Sequence, residues 1–360
     1  MNRIYNYSAG PSMLPLEVLE EAQKDFVDYQ GCGMSVCEMS HRSKQYDAIN
    51  NECLALIREL MNVPENYSII LVQGGGSTQF EAVPLNLLKE DNLKADYIVT
   101  GNFAKKAYKE AMKYGDIHLA ASSEDKTFTY IPDKFDIRED ANYVHICQNN
   151  TIFGTRYTKD KLPKTNIPLV ADISSLILSE EIDVSKYGVL YAGAQKNVAP
   201  AGVTIVIVRN DLISDGLKIC PTMLKWKTQI EANSLYNTPP CFSIYMAMLN
   251  LRHLKKNGGV KEQQKFNEYK AKLLYDFIDS SDFYSNKVNP EDRSLMNVPF
   301  VSPNPDLDAE FVKEAAANGF VSIKGHRLVG GMRASIYNAM PLSGITDLIE
   351  FMKKFEIAHK

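Results

Sequence analysis

"YSIILVQGGGSTQFEAVPLNLL", residues 67–88, is the stretch on which the fold turns. Six residues of mostly apolar, β-prone character run into three glycines and two hydroxyls, and a helical pattern is expected over 77–89. Strand, glycine turn and helix in that order make the first half of a βαβ unit. The texture recurs downstream. "DYIVT" (96–100) precedes a helix expected over 103–114, and "YVHIC" (143–147), "IPLVADI" (167–173), "GVLYA" (188–192) and "VTIVIV" (203–208) follow in turn. Such alternation predicts an α/β architecture with a largely parallel central sheet flanked by helices.

Upstream of this region, Pro15 ahead of "LEVLEEAQKDFVDYQG" predicts an amphipathic helix closed by Gly31, and "SKQYDAINNECLALIRELMN" predicts a second. Downstream, "FSIYMAMLNLRHLKKNGG" and "VKEQQKFNEYKAKLLYDFI" read as two long helices. After "DRSLMNVPFVS" the chain alternates again and ends on a helix near 343–358. The expected organisation is a large α/β domain over 17–255 and a smaller α+β domain over 256–360, with residues 1–16 associated with the latter. At 360 residues, two domains are the expectation from length alone.

Composition narrows the class. Hydrophobic residues at 45% and charged residues at 23% fit a globular chain; 40 Lys+Arg against 44 Asp+Glu leave a formal charge of −4. That balance argues against nucleic acid or an anionic membrane as partner. No apolar run approaches the roughly 18 residues of a membrane span, and the start "MNRIYNYSAGPSMLP" lacks a signal peptide's apolar segment. The six cysteines (32, 37, 53, 147, 220, 241) form no CxxC pair and no zinc spacing with histidine. A cytoplasmic protein with reduced thiols and no metal is expected.

Three features carry chemistry. The turn in "VQGGGSTQF" (72–80) sets three glycines and two hydroxyls at a helix start, where backbone N–H groups can cradle a phosphate, though a plain tight strand–helix turn reads the same way. It matches neither GxGxxG nor the Walker pattern, so nucleotide sites find no support. "PLVADISS" (168–175) ends an apolar strand on Asp172, at the edge where α/β sheets bind ligands. By itself such a residue reads first as a helix N-cap. In "VLYAGAQKNVAP" (189–200) a single cation, Lys196, stands between two apolar runs. A loop lysine needs no special purpose, but a neutral one at a sheet's carboxyl end forms a Schiff base with an aldehyde. Phosphate cradle, carboxylate and lysine together are the minimum for pyridoxal phosphate: the carboxylate keeps the pyridine nitrogen protonated and the ring becomes an electron sink. Phe103, after "VTGN", is placed to stack on the ring, and Thr151 in "QNNTIFGT" and Gln195 to contact its oxygen or phosphate. A second set is cationic: His41–Arg42, His326–Arg327 and Arg333. Arginine clasps carboxylate or phosphate with paired hydrogen bonds, so an α-carboxylate and a second, more highly charged anion are expected.

The blocks "YAGAQKN" with "PAGVTIVIV", "NTPP" (237–240), "SHR" (40–42) and "GHRLVGGMRASIYNAMP" (325–341) resemble the phosphoserine aminotransferases, class-V enzymes of pyridoxal-phosphate fold type I. The resemblance covers essentially the whole chain. It implies that Lys196 forms the imine, Asp172 pairs with the pyridine nitrogen, and Gly76, Ser77, Phe103, Thr151 and Gln195 hold the cofactor. Asn237 and Thr238 would reach the phosphate of the neighbouring subunit's cofactor, making a homodimer with shared sites. His41, Arg42 and Arg333 would bind substrate anions, with His326–Arg327 supplied by the partner chain. The implied reaction is amino transfer between L-glutamate and 3-phosphohydroxypyruvate in serine biosynthesis, with a phosphorylated threonine analogue in vitamin B6 synthesis as a further substrate.

Three departures from the family stand out. Phe103 replaces a common tryptophan, Ser77 an arginine found in some members, and Asn150 and Phe153 alter a loop usually written "ETIDG". Two rivals remain open at this point. A desulfurase would require a mobile nucleophilic cysteine, and no cysteine reads as lying in a flexible glycine-rich loop. A phosphate-ligand binder that has lost catalysis would not need both Lys196 and Asp172.

Overall fold

The computed structural model describes residues 3–360. In chain order its elements begin with β1 (Tyr5–Asn6), α1 (Leu16–Asp25), α2 (Lys44–Leu60), β2 (Tyr67–Val72), α3 (Gly75–Leu87), β3 (Lys94–Val99), α4 (Asn102–Ala111) and β4 (Asp116–Ser122). Strands β5 (Val144–Cys147), β6 (Leu169–Asp172), β7 (Val189–Gly193) and β8 (Thr204–Arg209) follow. The chain finishes with α5 (Trp226–Glu231), α6 (Cys241–Lys256), α7 (Gly259–Ser280), β9 (Asn297–Phe300), α8 (Pro305–Ala317), β10 (Phe320–Val321), β11 (Met332–Ser335) and α9 (Leu342–His359).

Seven strands form one sheet in the order β2-β8-β7-β6-β5-β3-β4. All its pairings are parallel except those of β8, which runs antiparallel to both β2 and β7. Every residue of β5, β6 and β7 is buried, which is why these strands read as continuous apolar runs and not as alternation. The period of two survives in what each face touches. Leu169 and Ala171 of β6 join a core with α1, α2 and α6, whereas Val170 joins one with α3, α4 and Trp226. A third core gathers α7, α8, α9, β9 and β11 around Phe300, Phe311 and Phe355. Tyr7 belongs to it, and β1 pairs in parallel with β10, so the N-terminal segment is tied to this C-terminal core.

Local chemistry sets the helix ends. Ser43 caps α2 by accepting from Tyr46 N at 3.2 Å, and Asn304 caps α8 ahead of Pro305. Helix α1 is shorter than its amphipathic pattern suggested: it stops at Asp25, and a separate 3₁₀ turn at Tyr29–Gly31 completes the stretch. Strand β4 has weaker apolar patterning and was not foreseen. No α-helix lies between β5 and β6 or between β6 and β7; loops make these crossings, and they carry Thr151 and Ser174–Ser175. Among the described residues no helix is long and apolar enough to cross a membrane.

Candidate active site

The site forms at the carboxyl ends of the parallel strands, where backbone polarity and chain crossings leave a crevice. Asp172 is the last residue of β6 and lies in register with Tyr191 of β7 and Cys147 of β5. It is 6% exposed, and its Oδ1 accepts the Ser174 N–H at 2.9 Å. No ion pair among the described residues includes it. Burial pushes its carboxyl above the usual range, opposed by hydrogen bonds from Ser174 and by the charge of Lys196.

Lys196 follows β7 in the tight loop that reverses the chain into antiparallel β8. That loop is closed by Ala194 N donating to Val203 O at 2.9 Å and Val198 N to Ala194 O at 3.0 Å. The antiparallel return answers why one lysine sits between two buried strands: it is a half-buried point in the turn of a hairpin whose arms are core. Its Nζ donates to Thr151 Oγ1 at 2.8 Å and lies 5.5 Å from the centre of the Phe103 ring. Phe103, at the second position of α4, packs against a small cluster of Val99, Phe128, Ile152 and Phe153. Phe153, one of the departures, packs its ring 4.7 Å from that of Phe128 and so adds to the support behind Phe103. Asn150, another, donates to Thr100 Oγ1 at 3.1 Å and Thr155 Oγ1 at 3.0 Å, fixing the loop that presents Thr151.

The glycine turn faces this pair. Gly74 has φ 97°, a conformation L side chains rarely adopt, and it caps the start of α3. The first helical N–H groups, at Gly75, Gly76 and Ser77, have no intrahelical acceptor. Gly76 comes so near the carboxylate that a Cβ on it would lie 3.5 Å from Asp172 Oδ2. Lysine amine, aromatic ring, a carboxylate without an ion pair and free N–H groups thus stand at one edge of the sheet, a donor set that fits pyridoxal phosphate.

The cations divide. Arg333, on β11, is half-buried and donates to Thr151 O at 3.5 Å, with its Nε left without a partner. His326 is lowered in pKa first by burial and then by Arg333, Arg327 and Lys106 of its own chain. Arg327 is exposed. His41 is half-buried and Arg42 exposed on the turn before α2, and neither side chain hydrogen-bonds the site residues of its own chain. Gln195 is half-buried beside Gly193. Asn237 and Thr238 lie on a loop where Thr238 O accepts from Gln73 Nε2 at 3.0 Å, beside a cavity of about 370 Å³ lined by Gln73, Gly74, Thr78 and Asn237.

Sequence reasoning missed Ser174, Ser175 and Asn149. Ser174 Oγ accepts from Gly193 N at 3.0 Å, and Thr151 Oγ1 donates to Ser175 Oγ at 2.9 Å. The hydroxyl pair directly after Asp172 was the available signal. Cys32 stands between Gly31 and Gly33. Its turn is fastened locally, Gly33 N donating to Asp28 Oδ1 at 2.7 Å, with no hydrogen bond to the lysine loop.

Residues 4–348 match the family model of the class-V aminotransferases. The chain is 52% identical over 363 residues to a phosphoserine aminotransferase of Bacillus cereus, each chain being covered in full. The chain belongs to the phosphoserine aminotransferases of class V. Solved phosphoserine aminotransferases superpose closely. That of Bacillus circulans subsp. alkalophilus gives a TM-score of 0.96 at 46% identity, covering 99% of both chains. The pyridoxal-phosphate-bound enzyme of Trichomonas vaginalis gives 0.93 at 37%, covering 98% of this chain and 100% of its own.

Proposed function

We propose that this site carries out reversible amino transfer between L-glutamate and 3-phosphohydroxypyruvate, giving O-phospho-L-serine and 2-oxoglutarate, in serine biosynthesis. The observation that carries the reading is Lys196 Nζ poised on Thr151 at the same sheet edge as a buried, unpaired Asp172. Bound there, pyridoxal phosphate supplies an aldehyde for the lysine and a ring that takes up the electron pair released at the substrate Cα.

The chain's own residues do the rest. The Asp172 carboxylate, costly when buried alone, is stabilised by a cationic ring nitrogen and so keeps a proton on it. Lys196 Nζ, when free and neutral, would take the substrate's Cα proton and return it. Thr151 fixes where that nitrogen stands. The N–H groups of Gly76 and Ser77 hold the cofactor phosphate at the α3 terminus. Phe103 covers one ring face. Arg333 receives the substrate carboxylate, and His326, Arg327, His41 and Arg42 provide for the substrate phosphate.

We read the working form as a homodimer in which Asn237 and Thr238 of each chain reach the neighbour's cofactor. Met223 and Tyr236, 44% and 50% exposed, and Ile219, 68% exposed, put apolar surface on the segment leading into that loop, as a second copy would require.

The test is direct. Purified protein with cofactor should absorb near the visible edge, bleach on adding glutamate, and turn over phosphoserine far faster than serine. Lys196→Ala should lose both absorbance and turnover; retention of both would overturn the reading.

A further inference from the structure

Lys196 is gripped from two directions, and both routes pass through one phenol. From the amine, Nζ donates to Thr151 Oγ1 at 2.8 Å and Thr151 donates to Ser175 Oγ at 2.9 Å. Ser175 donates to Asn149 O at 3.0 Å and accepts from Asn149 Nδ2 at 2.8 Å. Asn149 Nδ2 also donates to Asn297 Oδ1 at 2.9 Å. Asn297 Nδ2 then donates to Ser335 Oγ at 3.0 Å and to Tyr337 Oη at 3.2 Å.

Tyr337 passes the contact on, its hydroxyl donating to Ala9 O at 2.8 Å. From Ala9 the chain returns to the lysine. Ser12 N donates to Gln195 O at 3.0 Å, Ser12 Oγ donates to Lys196 O, and a Cβ on Gly10 would lie 3.4 Å from Lys196 Cγ. Thr151, Ser175, Asn149, Asn297, Ser335 and Tyr337 are each at most 3% exposed. Buried polar groups with their partners satisfied admit essentially one arrangement. The main chain of Tyr337 is fixed as well, because Lys270 Nζ donates to the carbonyls of Ile336, Tyr337 and Met340 at 3.1, 2.9 and 3.1 Å.

We propose that Tyr337 is a positioning residue for Lys196: its hydroxyl holds the Ala9–Ser12 strap against the lysine's stem and anchors the Asn297–Asn149–Ser175–Thr151 relay that ends on its amine. This rests on the reading of Lys196 as the reacting amine. Tyr337 makes no hydrogen bond to the lysine itself and lies four residues beyond Arg333. The side chain that receives a carboxylate and the support of the reacting amine are thereby built on one segment.

Tyr337→Phe removes one hydroxyl and keeps the ring packing; Asn297 retains Ser335. Ser12→Ala removes the strap's side-chain bond to Lys196 O, keeps its main-chain bond to Gln195 O, and leaves the C-terminal core untouched. Holoenzyme of either variant should show kcat reduced about tenfold, with KM for glutamate changed less than about threefold, as for a misplaced reacting group and not for lost substrate binding. In cofactor-free protein, hydrogen exchange at the Ser12 amide should quicken in Tyr337→Phe. A Tyr337→Phe protein with lower melting temperature but wild-type kcat and wild-type Ser12 exchange would show a merely structural role and overturn the proposal. Absence of the near-visible absorbance in wild-type holoprotein would instead refute the functional reading, and the Ser12 exchange comparison would still decide whether the strap depends on Tyr337.

Discussion

Asp172 is a buried carboxyl that forms no ion pair among the described residues, and this has a measurable consequence for stability. Its folded pKa is raised by burial, so the stability it contributes is complete below the unfolded carboxylate value near 3.9 and is lost as pH rises through the folded value. Asp172→Asn should therefore melt at a higher temperature than wild type at neutral pH when both are free of cofactor. The gap should close toward pH 4. The same variant with cofactor should lose about a hundredfold or more in turnover, since the ring nitrogen no longer has its ionic partner. Equal melting temperatures at neutral pH would contradict the account of Asp172. Arg42 is argued at this scale too. Arg42→Ala should lose about ten- to a hundredfold of its preference for phosphoserine over serine, the worth of one charge-assisted hydrogen bond. Unchanged discrimination in a side-by-side assay would remove Arg42 from phosphate recognition.

At the scale of elements, the glycine turn shows how little freedom the site has. Gly74 combines φ 97° with a position where an added Cβ would run into the Thr78 side chain. Gly74→Ala should cost about 1–3 kcal/mol, read as a lower urea midpoint, and cofactor affinity should fall with it. A wild-type midpoint would mean the turn is not strained. The strands that carry Asp172 and Lys196 were legible because a fully buried strand has no polar face, so "IPLVADI" and "GVLYA" stand out as uninterrupted apolar runs. What could not be read were the crossings. The chain after Cys147 and after Asp172 leaves the sheet as loops held by side-chain hydrogen bonds. Such bonds have no periodicity. Asn149 looked like any loop asparagine, and Asn297 looked like a strand residue; these two partners lie 148 positions apart in the chain. Phe153 and Asn150 were legible only as departures from a pattern, and their support of Phe103 and Thr151 emerged from packing.

For the whole molecule, the central question is where one site ends. His326 and Arg333 lie on the same C-terminal segment, whereas His41 and Arg42 stand on the turn before α2 with no side-chain hydrogen bond to site residues of their own chain. A homodimer with shared sites makes a specific demand. Lys196→Ala mixed with an Asn237→Ala, Thr238→Ala double variant, after reversible dissociation, should regain activity above the sum of the two parents. No gain on mixing would mean that each chain holds its cofactor alone. The central claim, that Lys196 is the amine joined to the cofactor, is tested most directly by reducing cofactor-loaded protein with borohydride and mapping the adduct by peptide mass spectrometry. A single pyridoxyl-phosphate adduct on the peptide containing Lys196 is the predicted result; an adduct on another lysine, or none, would contradict it.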